Sequence, residues 1–544
     1  MVINFLSFIL WYMIKKNHIF QNFLILILLV IGILTVKNYG ISYDELEYRQ
    51  QGFVVLNHIA EKFFPKKSKL IKEEREIKYP TPKEYMGNIK NNFKIHHTIF
   101  ASLEFIFFKD SEKKDVYLMR HYLNFLMSML MIIFFYKTLR LNFSREISMI
   151  GSSFFLINPR IYPDFFYNPN DIWFSFFLVL CIYNSLIFFK KKSLIHFLIL
   201  PILISLAINV RIIGIYIYFI FLLIFLFRCI NKEKEYLNIL KYLGLQIIIL
   251  ILSLYLLTPQ TWDGGILSLY DLFLGQLSYN PIDPNIMFMG KLISASETAW
   301  YYLPLWILIS TPIIYIFLFL IGNICLFYTL VFEKHKNSHF NYYLILGYFF
   351  LPLFAYFIFR PTIFNGWRHF YFLYPGLIYL STIGINFIYN RILLFNNQKI
   401  IFFYYTILIG YFLSIIFWSV QNHPYQYVFL NSFSQKYFNK FEKDYWGVSN
   451  LDAIKLILSK DKKDKITIVG VENSRIDFSL MMLSKNEKKR INLKKFDEVN
   501  KSQVDYYISH FNDEYNTNYY KNSGYKIFNE IIVEGKNINI IFTN

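Results

Sequence analysis

The sequence predicts a polytopic α-helical membrane protein, with about eleven transmembrane helices and a small C-terminal α/β domain outside the membrane. Three observations predict it. Hydrophobic residues make up 55% of the chain and charged residues only 17%, where soluble domains carry about 25% charged. The mean hydropathy is +0.35. Apolar runs of about 20 residues, enough to cross a bilayer as a helix, recur along the chain.

The spans read in order at 19–36, 117–136, 146–159, 171–189, 193–210, 212–229, 238–257, 303–325, 341–359, 370–389 and 400–419. An apolar stretch at 2–13 is too short to span. With no small-residue cleavage site before the next span, it reads as an interfacial segment rather than a cleaved signal. Orientation follows from Lys and Arg in the short loops. Lys15–Lys16, Lys137, Arg140, Arg145, Lys190–Lys192, Arg228, Lys232, Lys234, Lys334, Lys336, Arg391 and Lys399 fall on one face, read as cytoplasmic. The loop 37–116, the segments 160–170, 258–302 and 360–369, and the tail 420–544 fall on the other. Two units follow: a membrane domain over 1–419, including the loop 37–116, and an extracytoplasmic α/β domain over 420–544.

In the tail the apolar content falls and Lys, Asp and Asn rise. Residues 449–459 read as a helix, 466–471 and 504–510 as strands, and 530–543 as a hairpin around Gly535–Lys536. Its acids and lysines read as a solvated surface. The net charge of +19 would suggest nucleic acid in a soluble protein. Here much of it lies in short loops that set topology, and no nucleic-acid motif is present. The 60 Phe and 44 Tyr read as the codon bias of an AT-rich genome. Cys181, Cys229 and Cys325 lie in or beside apolar runs, so no disulfide framework or zinc spacing exists.

Ionisable groups are costly in lipid, so clusters at helix ends carry the functional signal. Asp44–Glu45 follows the first span: paired acids serve as base, metal ligand or acceptor, or as a helix cap. Asp171 opens a span after two Asn-Pro pairs, where an acid also suits the helix dipole. Arg211 lies between two spans and either snorkels or grips a phosphate. Arg368 and His369, beside Gly366 and Trp367, suit an anion near the surface or an interfacial anchor. His96 and His97 are adjacent and point differently, which argues for a structural role over a metal site.

Several of these pieces occur in an order that resembles the membrane glycosyltransferases of the GT-C fold. The resemblance is specifically to their family 39, which includes the dolichyl-phosphate-mannose protein mannosyltransferases and the bacterial lipid A aminoarabinose transferases. The resemblance runs through Asp44–Glu45, HHTIF at 96–100, Arg120, Asp171, Arg211 in LAINVRIIG, Pro259 and Trp262. It continues in WYYLPLWILISTP at 300–312, NGWRHFYFLYP at 365–375, HPYQYVFLN at 423–431 and DYWG at 444–447. The chain departs at His97, where many relatives have Pro, and in its long Lys-rich first loop.

The resemblance implies transfer of a sugar from a polyprenyl-phosphate donor to a glycan, lipid or protein acceptor. The reaction would take place on the outer face of a bacterial inner or plasma membrane, with inversion. It casts Asp44 as general base and Glu45 as orienter or cation ligand. Arg211, Arg368 and His369 become phosphate donors, with Asp171, His96 and His97 in support. A divalent cation, Mg²⁺ or Mn²⁺, on Asp44, Glu45 and Asp171 is compatible with these ligand types. Two other readings stand beside this one. A polysaccharide polymerase or ligase would concentrate function in one large outer loop. A transporter would place ionisable residues at mid-membrane.

Overall fold

The computed structural model describes residues 29–75, 94–277, 283–332, 340–471, 476–495, 503–509 and 524–543. The stretch 2–13, the first part of the span 19–36, and Lys15, Lys16, Lys334 and Lys336 lie outside the described residues.

Among the described residues, seven helices are long and apolar enough to cross a membrane. They are Lys113–Arg140, Pro169–Lys191, Ile212–Ile230, Ile313–Phe332, Phe340–Phe359, Arg368–Leu394 and Gln398–Gln421. Lys234–Leu240 and Leu243–Leu256 pass the same test only as a pair and are bent by 52° at the break between them, the geometry of a broken span or a re-entrant loop. Two other expected spans form shorter helices. Arg145–Leu156 has 12 residues and Leu194–Val210 has 17. The run 303–325 divides into Tyr302–Ser310 and Ile313–Phe332. Thr311 is extended there, as a residue before proline prefers, so Pro312 ends one helix and admits the next.

Pro169–Lys191 is the centre of the bundle: 89% of its apolar window is buried, against 17% in Gln398–Gln421. The latter offers Phe403, Ile407 and Phe417 to lipid. The short loops close one end of the bundle. Lys192 pairs with Glu235 at 3.0 Å, and Asn341 donates to Asn142 at 3.1 Å. The segments 40–45, 157–170, 208–213 and 360–369 meet at the other end.

Four helices position the site and are labelled α1 (Glu45–Phe63), α2 (Ile95–Phe107), α3 (Lys113–Arg140) and α4 (Pro169–Lys191). α1 and α2 pack together above the spans. They are tied to α3 by Glu104, which accepts from Arg49 (2.5 Å) and Arg120 (2.9 Å). Opposite charges at these distances in a dry setting hold only because each oxygen is hydrogen-bonded.

The tail carries a five-stranded sheet in the order β4-β3-β5-β7-β6. Its strands are β3 (Ile466–Gly470), β4 (Ile491–Lys494), β5 (Tyr506–Ser509), β6 (Lys526–Val533) and β7 (Lys536–Thr543). β1 (Asn285–Phe288) and β2 (Lys291–Ser294) form a separate hairpin in the 258–302 segment. β3 is parallel to β4 and β5, whereas β7 is antiparallel to β5 and β6. Glu534 and Gly535 turn the last hairpin with both φ values positive (50° and 73°), the conformation of a tight two-residue loop. The helix Ser449–Lys460 buries Leu451, Ile454, Ile457 and Leu458 beside this sheet.

Candidate active site

Asp44 sits at the N-cap of α1, yet its side chain makes no cap hydrogen bond. Instead its Oδ2 accepts from Arg368 Nη1 at 2.7 Å and from the Tyr48 hydroxyl at 3.0 Å. Burial pushes the Asp44 carboxyl up, but the Arg368 charge and these hydrogen bonds outweigh it and hold the group below the usual range. Asp44 is therefore an ionised carboxylate at neutral pH.

Arg368 opens the turn that feeds Tyr374–Leu394. It follows Asn365 and Gly366, which are both left-handed (φ 59° and 66°). Its guanidinium also lies 4.5 Å from the centroid of Trp446. His369 packs edge-on against Phe364 at 4.9 Å, within the fields of Arg368, Arg211 and Lys94.

Asp171 stands in the first turn of α4 and is hydrogen-bonded by Asn168 Nδ2 at 2.7 Å and by Arg211. Arg211 is the extended C-cap of Leu194–Val210, and that break in the helix turns its side chain toward α4. His96 Nε2 lies 3.2 Å from Asn170 Oδ1, and its ring stacks on Trp173. His97 stacks on Tyr48 at 4.6 Å. Both histidines thus buttress the residues around Asp44 and Asp171.

Glu45 departs from its expected place beside Asp44. It is buried, with Oε1 2.8 Å from His121 Nε2 and Oε2 accepting the Ser42 N–H at 2.7 Å. Successive helical residues point about 100° apart, so two neighbouring acids cannot both face one site. The expected cation ligands do not fit together either. Asp44, Glu45 and Asp171 are engaged by Arg368, His121 and Arg211 respectively. Among the described residues, no three His, Cys, Asp or Glu side chains gather to hold a metal ion.

Lys94 was not singled out by the sequence and completes the cluster. Its ammonium lies 5.8 Å from the Tyr48 ring centroid and feels the charges of Arg211, Asp171, Asp44 and Arg368. Burial, joined by the repulsion of Arg211, pulls its pKa down to about 7. Nothing local marks it within a Lys-rich loop. Tyr48 was findable as the i+4 neighbour of Asp44 on a helix.

Two acids of the tail also depart from the expected solvated surface. Asp444 is buried and accepts from the Tyr427 hydroxyl at 2.5 Å and from the Ser449 N–H at 3.0 Å. Glu442 accepts the Gly366 N–H at 3.0 Å, and burial pushes its pKa up to about 7.

Residues 116–257 match the sequence profile of the dolichyl-phosphate-mannose-protein mannosyltransferases. No curated protein matches the chain in sequence. Two solved structures are similar in fold at low identity. The oligosaccharyltransferase of Archaeoglobus fulgidus has 10% identity and TM-score 0.46, over 90% of this chain and 70% of that one. ArnT from Cupriavidus metallidurans, bound to undecaprenyl phosphate, has 9% identity and TM-score 0.46, over 97% and 98%. The chain is a multi-pass membrane protein by its apolar helices, and its sequence resembles these mannosyltransferases over the stretch that contains Arg120, Asp171 and Arg211.

Proposed function

We propose that this chain is a membrane glycosyltransferase that moves a sugar from a polyprenyl-phosphate carrier to a glycan, lipid or protein acceptor on the outer face of a bacterial inner membrane. One observation carries the reading. Asp44 and Arg368, 324 positions apart in sequence, form a 2.7 Å ion pair at the end of the bundle where Lys94, Asp171, Arg211 and His369 also converge. A carboxylate beside several cations at a membrane surface suits an acid-base partner for the acceptor and a grip for the carrier phosphate.

In this reading Arg368, Arg211 and Lys94 hold the leaving phosphate as its charge grows. His369 adds a further donor. Preorganised donors of this kind typically contribute about 2.7–4 kcal/mol each to the barrier. Asp44 takes the proton of the acceptor as it attacks the anomeric carbon. Arg368 makes Asp44 a weak base in the free protein. A phosphate drawn onto Arg368 competes for that cation and raises the basicity of Asp44 when the donor is in place. Asp171, the other carboxylate of the cluster, is held by Arg211 and Asn168, so a single displacement that inverts the anomeric centre is the expected course.

The test is incubation of membranes with a panel of labelled polyprenyl-phosphate sugars. Wild type should transfer one of them. Asp44→Asn and Arg368→Ala should lose transfer while inserting normally, and wild-type rates in both would refute the reading.

A further inference from the structure

We infer that the neck of the tail, residues 441–448, belongs to the active site, with Glu442 and Trp446 as positioning residues that hold Arg368 against Asp44. The inference rests on the reading that Arg368 grips the carrier phosphate.

Arg368 is aimed by a turn. Asn365 and Gly366 are consecutively left-handed, a conformation that Asn and Gly adopt readily. Residues from elsewhere in the chain fix where that turn sits. Glu442 accepts the Gly366 N–H at 3.0 Å. Arg160, fully buried and lying 4.9 Å from the Trp306 ring centroid and 5.6 Å from that of Tyr445, presses on the same glycine. A Cβ at Gly366 would stand 3.0 Å from Arg160 Nη2.

Trp446 then supports the side chain itself. Its ring is buried, 4.5 Å from the Arg368 guanidinium, and braced edge-on by Tyr167 at 5.7 Å. The next residue packs against the neighbour of the other half of the ion pair. Gly447 (φ 67°) lies so close to the Tyr43 ring that a Cβ would come within 2.5 Å of it, and Tyr43 precedes Asp44. Asp444 anchors the neck through Tyr427, Val448 and Ser449. Phe441 joins it to the 258–302 segment through a bridge to Phe288, and to the helix Tyr302–Ser310 through a ring contact with Trp306 at 5.2 Å. The neck therefore touches Arg368 and the residue that precedes Asp44, and a shift in its position moves Arg368.

The experiment measures binding of tritiated undecaprenyl phosphate to the full chain in detergent, together with thermal melting. Trp446→Leu and Glu442→Ala should weaken binding about 10-fold. Trp446→Phe keeps an aromatic face and Glu442→Gln keeps an acceptor oxygen, so both should bind within about 3-fold of wild type. Val469→Ala, in β3 and in an apolar cluster of the sheet that holds no neck residue, should melt lower and bind as wild type. Arg368→Ala is the reference and should lose binding. Normal binding by Trp446→Leu and Glu442→Ala, with Arg368→Ala defective, would overturn the inference and leave the wider reading intact. Equal losses in Val469→Ala and Trp446→Leu would also overturn it, because the effect would then be general loosening of the tail. Normal binding by Arg368→Ala would remove the reading on which both stand.

Discussion

Two charge clusters lie along α1 and α2, and they are finished differently. At Glu104 the carboxylate is fully covered (0% exposed), and its partners Arg49 and Arg120 are 14% and 5% exposed. Its oxygens accept four hydrogen bonds from the two arginines, at 2.5 to 3.0 Å. At Asp44 the carboxylate is 33% exposed, and Arg211 in the same cluster is 26% exposed. The first cluster is closed and joins outer helices to a span. The second keeps a carboxylate and a cation within reach of solvent, with Lys94 held near neutrality. Buried charge by itself marks architecture; exposure of the charged atoms marks a site.

Breaking each cluster should separate these roles. The largest effect belongs to Asp44→Asn, which should lower transfer by about 10²–10⁴-fold, the usual contribution of a general base. Its melting temperature should stay near wild type; unchanged turnover would move the base elsewhere. Arg120→Met should do the reverse. It leaves Glu104 with one partner, costs about 3–5 kcal/mol of stability, and should show as lost yield and a lower melting temperature rather than as a slower step in the protein that folds. Glu45→Gln should likewise cost about 1–3 kcal/mol through His121 and leave the rate per folded molecule intact. A rate loss as deep as that of Asp44→Asn would return Glu45 to the chemistry.

Lys94 sharpens the comparison through pH. Its ammonium is the form that attracts phosphate, and its pKa is pulled to about 7. Raising the pH through that value removes the positive charge, so carrier affinity should fall from about pH 7 upward. In Lys94→Met that pH limb should vanish, with affinity already low below pH 7. A limb that survives the substitution would assign it to another group.

Much of this was legible in the sequence. Asp44 and Arg368 stood out as charges at the ends of apolar runs, and the tail hairpin was set by alternation around Gly535. Glu45 misled because adjacency in sequence says nothing of direction on a helix. The 303–325 run read as one span because hydropathy averages across Thr311–Pro312, whereas backbone geometry breaks there. Lys94 and Glu442 escaped for a different reason, and Trp446 stood only within the DYWG run with no role attached. Their significance lies in contacts with residues far away in sequence, and no local spacing encodes a tryptophan set beneath an arginine 78 positions earlier.

The most direct test of the central claim is a double-mutant cycle on the transfer rate with Asp44→Asn, Arg368→Gln and the double variant. If the pair acts as one unit, each single variant loses most of the activity and the double loses little more. Losses that simply multiply, or either single variant at the wild-type rate, would contradict the claim that these two side chains form one catalytic site.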